Sequence, residues 1–191
     1  MSVFGLVVAG PYDEAILETL MRRLRPDLSE VFSRQCQNDP GVTKRLKGLL
    51  EDFKHVNAGG AVDKAIVVRD AHKAQLSEIQ NALTLHFNPA HYSFSVKFAV
   101  VVPEPEAWLL ADNEALAAIS RERGRPQTFP PTSSSPENLS DPKRELRRRL
   151  AQAKVNYTQV VAGKLAELSD LARVAYWCPS FVQFRTAVED C

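Results

Sequence analysis

Apolar positions along this chain follow a strand-then-helix rhythm that repeats. Val3 to Ala9 is a compact apolar run, and behind the Gly10-Pro11 break Ile16, Leu17, Leu20, Met21 and Leu24 recur at helical spacing, which predicts strand, tight turn and helix. A second unit is fainter: Val31 to Cys36 reads as a short strand, and Val42 to Phe53 places Leu46, Leu49, Leu50 and Phe53 on one helical face. In the third, Ala65-Ile66-Val67-Val68 is a fully apolar strand ending in Arg69-Asp70, followed by Leu76, Ile79, Leu83 and Phe87 along one side of a helix. Phe94 to Val102 is a fourth strand, closed by Pro103. Strands alternating with helices predict an α/β, Rossmann-like fold: a mostly parallel four-stranded sheet flanked by helices.

The rhythm then changes. Glu104 to Ala118 is helical in pattern, whereas residues 123–141, with the run PPTSSSPENLSDP, are rich in Pro and Ser and have little capacity to pack a core, so they read as a loop or mobile flap. Residues 142–191 read as a C-terminal helical extension of three or four helices, the last opened by Pro179 and carrying Phe181, Phe184 and Val188. The 191 residues are expected to form a single domain, with residues 1–122 as its α/β core and the helical tail packed on it.

Composition narrows the chemistry. Apolar residues make up 45% and charged residues 25%, and the formal charge of +1 exerts no whole-molecule pull on nucleic acid or anionic membrane, so any electrostatic site is local. Cys36, Cys178 and Cys191 are odd in number and far apart, which implies neither a disulfide framework nor a zinc knuckle and fits a cytoplasmic setting. Val3 to Ala9 is too short to span a bilayer and lacks a basic flank, so no membrane or export segment is expected. GKLAEL at 163–168 lacks the upstream glycine and following hydroxyl of a phosphate loop.

In open parallel sheets ligands gather beyond the carboxyl ends of the strands. Here the first strand leads to Asp13 and Glu14, the third to Asp70 and His72, and the fourth to Glu104 and Glu106. Such a concentration of acids is costly unless a cation neutralises it, and oxygen-rich sites suit Mg²⁺ or Mn²⁺. Each residue also has a purely structural reading. Asp13 and Glu14, like Glu104 and Glu106, stand where acids offset a helix dipole. Asp70 has no such use unless it caps a helix beginning near Lys73, and a solitary His72 is commonly a surface or hydrogen-bonded residue. Lys143, Arg144, Arg147 and Arg148 form a basic helix face able to grip phosphates, although solvated faces are commoner and Leu146 and Leu150 on the inward side need the arginines only to face outward.

Taken in order, VVAGPYDEAIL, VVRDAHKAQ, VVPEPEAWLLAD, DPKRELRRRL and CPSFVQF resemble the Toprim fold, the metal-binding α/β domain of topoisomerases, primases and overcoming-lysogenization-defect nucleases. The chain is more closely similar to domain-of-unknown-function family 4276. The resemblance implies a divalent-metal-dependent nuclease or phosphoryl-transfer enzyme of a bacterial defence-type system, with an ATPase as partner protein and nucleic acid as substrate. It implies metal binding at Asp70, Glu104 and Glu106, assistance from His72, and Asp13 or Glu14 in place of the catalytic base. The departures are specific: Ala9 stands where Toprim enzymes carry glutamate, and His72 where they carry the second aspartate. They support an alternative, a catalytically degenerate Toprim-fold module that binds or regulates without turnover.

Overall fold

The computed structural model describes residues 2–56, 60–72, 74–85 and 87–190. Four strands, β1 (Ser2–Val8), β2 (Leu28–Gln35), β3 (Lys64–Asp70) and β4 (Ser95–Val101), pair in the order β2-β1-β3-β4, every pair parallel. Helices α1 (Pro11–Leu24), α2 (Asp39–Glu51) and α3 (Leu76–Leu85) connect them. Because all strands run the same way, their carboxyl ends lie along one edge, and the chain's direction of travel across the sheet reverses between β1 and β3, where such sheets form their ligand crevice.

Alternation along the strands sorts the core into two layers. Phe4, Leu6 and Val8 of β1, with Ile66 and Val68 of β3, pack beneath α1 and the later helices; Val7, Ala65 and Val67 pack beneath α2 and α3 with Phe53. On that second face Gly5 is required by close approach: a Cβ there would lie 2.6 Å from the fully buried Phe53 ring. Gly5→Ala is therefore expected to destabilise the fold by about 1–3 kcal/mol, measured by urea denaturation, with unchanged stability showing that the ring has room to move.

The predicted helix at 104–118 divides into α4 (Glu106–Leu110) and α5 (Asn113–Glu122), because Asp112 caps α5 by accepting from Glu114 N–H at 3.0 Å and also receives Arg173 at 2.6 Å. The faint second strand is longer than its pattern, starting at Leu28, and α3 ends before Phe87, which instead packs against Tyr92 and Phe98. The tail comprises α6 (Pro142–Gln152), α7 (Gln159–Leu168), α8 (Leu171–Trp177) and α9 (Pro179–Glu189). Trp108 of α4 is buried between Phe181 and Phe184, with ring centroids at 5.3 and 5.4 Å, so the tail shares the core of the sheet. Lys64, buried at the start of β3, directs its ammonium to the carbonyls of Ala187, Val188 and Asp190, a cation at a helix C-terminus.

The Pro/Ser-rich stretch is irregular except for a 3-10 turn at Pro136–Asn138, but it does contribute to the core through buried Phe129. Glu137 pins it down, accepting from Ser180 N–H at 3.0 Å and Ser180 Oγ–H at 2.5 Å. Cys36 and Cys178 are buried free thiols; Cys191 and Lys73 lie outside the described residues. Among the described residues no helix is long and apolar enough to cross a membrane.

Candidate metal centre

Each strand delivers an acid to the shared edge. Asp70 is the last residue of β3, and β1 stops short of it, so the backbone N–H of Asp70 is not taken up by the neighbouring strand. Asp39 fills that gap. It is the first residue of α2, just beyond β2, and reaches over the end of β1 so that its Oδ1 accepts from Asp70 N–H at 2.7 Å. Its Oδ2 meets His72 Nε2 at 2.9 Å. His72 sits at φ 45°, a region sparsely populated by residues bearing a side chain, and is held there by its N–H donating to Pro103 O at 3.0 Å. Asp39, Asp70 and His72 each offer one ligand atom, and those atoms all lie within 4.8 Å of one another. Among the described residues this is the one cluster of three such ligands, and sequence reasoning had missed Asp39.

Glu104 and Glu106, the acids after β4, are engaged separately by α6. Glu104 Oε1 accepts from Lys143 N–H at 2.6 Å, and Glu106 Oε1 pairs with Lys143 Nζ at 2.8 Å while accepting from the Tyr157 hydroxyl at 3.0 Å. Glu106 is 1% exposed, and its Oε2 is buried with no hydrogen-bond partner among the described residues. Asp13 occupies the third position of α1, accepting from Gly10 N–H at 3.0 Å, a capping role of the kind its position suggests. Glu14 goes elsewhere: it is hydrogen-bonded by Gln35 of β2. Ala9 packs on the apolar layer beneath α2.

The acids feel one another. Burial, reinforced by Asp13, Asp39, Glu106 and Glu104, pushes the Asp70 carboxyl well above its ordinary range. Burial and Glu106 push Asp13 up to about 7, against the opposing pull of Lys143 and the Gly10 N–H. Glu104 is raised by burial and Glu106. Burial works against the Lys143 ammonium, but Glu106, Asp13 and Glu104 outweigh it and hold the group above its ordinary value. Burial and Glu106 also raise Tyr157, which keeps its phenol protonated and donating.

The basic face of α6 thus divides in function. Lys143 belongs to the acidic centre. Arg144 is exposed beside Asp141, Arg147 is exposed with its guanidinium 5.9 Å from the Tyr157 ring centroid, and Arg148 is paired to Glu145 at 2.7 Å. A depression of about 350 Å³ lined by His72, Pro103, Glu104, Ser140, Asp141 and Pro142 opens beside the cluster.

The profile of a protein family described as "Domain of unknown function (DUF4276)" matches residues 10–189. The chain belongs to the DUF4276 family. The match runs from Gly10 through the last helix, so strand-end acids, Pro/Ser-rich stretch and tail are all parts of one family unit. No curated protein and no solved structure matches the chain.

The residues fit a divalent cation. Two carboxylates and an imidazole converge, and a cation at that point would compensate Asp70, whose burial and acidic neighbours favour the protonated form. A mixed oxygen and nitrogen set tilts preference from Mg²⁺ toward Mn²⁺.

Proposed function

We propose that this protein is a divalent-metal-dependent phosphoryl-transfer enzyme of nuclease type, its ion held by Asp39, Asp70 and His72. The observation that carries this reading is the convergence of three ligand atoms within 4.8 Å at the switch point of a parallel sheet. The Toprim resemblance of the strand-end motifs supports the same class. A bound Mg²⁺ or Mn²⁺ supplies neutralisation of phosphate oxygens and a water acidified enough to attack.

The chain's own residues do the rest. Asp13, whose carboxyl titrates close to neutrality, is suited to take up and return a proton, the task for which Ala9 offers no group. Exposed Arg144 and Arg147 on α6 give a phosphate backbone a place to lie beside the depression next to His72. Incubating the protein with single-stranded DNA, duplex DNA and RNA in Mn²⁺ or Mg²⁺ tests the reading. Cleavage that requires metal and is lost in Asp70→Ala is expected; no cleavage, or equal cleavage by the variant, overturns it.

The Lys143–Glu106 pair also favours a second reading, a metal-binding module without turnover, because it occupies an acid that catalysis could otherwise use. Tight Mn²⁺ binding without cleavage of any of the three substrates would select it.

A further inference from the structure

Building on the metal site proposed above, we infer that Lys143 is a built-in cation occupying the position of a second metal ion, so that the centre is designed for one divalent ion. Five acids, Asp13, Asp39, Asp70, Glu104 and Glu106, stand at or beyond the strand ends along this sheet edge, and Glu104 lines the same depression as His72; together they carry more negative charge than one divalent ion and an imidazole neutralise. A sixth residue divides them. Lys143 engages both acids that follow β4, Glu104 through its backbone N–H at 2.6 Å and Glu106 through its ammonium at 2.8 Å.

That ammonium is caged rather than loosely paired. It lies 4.6 Å from the centroid of the Tyr12 ring, Tyr12 packs on Tyr157 at 5.1 Å, and the Tyr157 hydroxyl donates to the same Glu106 oxygen. Elements from both ends of the chain build the cage: α1, the start of α4, the first turn of α6 and the segment before α7. Glu106 Oε2 remains buried without a partner among the described residues, a place where a metal ion would be held if the ammonium were absent. The centre thus has a metal half, at Asp39, Asp70 and His72, and an ammonium half, at Glu106, Tyr157 and Lys143.

Titration calorimetry and electron paramagnetic resonance with Mn²⁺ alone test the division. Wild type is expected to take up one Mn²⁺ per chain. Lys143→Met, which keeps the unbranched stem of the side chain and removes the ammonium, is expected to take up two, with the spectrum broadened by coupling between neighbouring ions. Glu106→Gln is expected to keep one ion, and the double variant Lys143→Met/Glu106→Gln to return to one. Two ions in wild type, one ion at unchanged affinity in Lys143→Met, or loss of the ion in Glu106→Gln would each overturn the inference. Failure of wild type to bind Mn²⁺, or binding indifferent to Asp70→Asn, would instead remove the metal reading on which it rests. Circular dichroism melts confirm that each variant folds, and Glu106→Gln keeps the inference open to refutation should Lys143→Met not fold.

Discussion

Asp70→Asn is expected to abolish Mn²⁺ binding and at the same time raise the melting temperature of the metal-free protein. The two effects have one origin. Asp70 is 8% exposed at the end of an inner strand, and its carboxyl faces Asp13, Asp39, Glu106 and Glu104, so ionising it in the absence of a metal is opposed by burial and by four neighbouring acids. Asparagine keeps the shape and the backbone N–H that Asp39 accepts, but removes the charge. Relief of about 1–2 kcal/mol corresponds to a rise of roughly 2–8 °C for a chain of this size. Metal affinity should fall by at least about 100-fold, beyond the loss usual for residues that only orient a ligand. Differential scanning fluorimetry in EDTA and calorimetry with Mn²⁺ check the pair; a lower melting temperature together with retained binding would show that Asp70 is a structural residue.

The second large effect is a dependence of stability on pH carried by Asp13. Burial, then the charge of Glu106, raises its carboxyl from 3.8 to about 7 in the folded protein. The unfolded chain releases that proton near pH 4, whereas the folded chain keeps it to about pH 7, so across this window the folded state binds more protons and stability falls as pH rises. Above about pH 7 the loss is complete and the contribution is flat. At 1.36 kcal/mol for each pH unit, the full effect is at most about 4 kcal/mol. Urea denaturation of the metal-free protein at pH 5 and pH 8 should therefore give a higher midpoint at the lower pH, and Asp13→Asn should show a shallower dependence, the remainder belonging to Asp70 and Glu104, which burial and neighbouring acids also raise. A carboxylate of the opposite kind, Glu145, is lowered to about 2, chiefly by its hydrogen bond from Arg148; its contribution is lost only as pH falls below about 4.5, beneath the pH 5 and pH 8 of the comparison. An unchanged slope in Asp13→Asn would assign the pH dependence to other groups.

Both effects depend on acids whose proximity is only partly written in the primary structure. Asp13, Asp70, Glu104 and Glu106 were legible because each follows an apolar run that must be a buried strand, and parallel strands present their carboxyl ends together. Asp39 was not, because it follows the faintest strand, whose exposed edge residues blur the apolar pattern, and it stands in a Gln-Asn-Asp-Pro turn that reads as a helix start and nothing more. Its signal was positional: a fourth acid, after a fourth strand, in the same place as the others. Lys143 was legible only as one of a run of cations, since helical periodicity tells which side faces inward but not what lies opposite it.

The amino-acid sequence by itself determined the α/β architecture, its helical tail and membership of the DUF4276 family, because burial imposes a period on each element wherever that element packs. Tertiary structure decided which acids share an ion and which face an ammonium. Strand order set β1 short between β2 and β3, so that Asp39 spans its end to Asp70, and the docking of α6 brought Lys143 against Glu106 across 36 intervening positions. Local pattern carries no information on either juxtaposition, because each depends on how distant elements stack, not on the residues beside them in the chain.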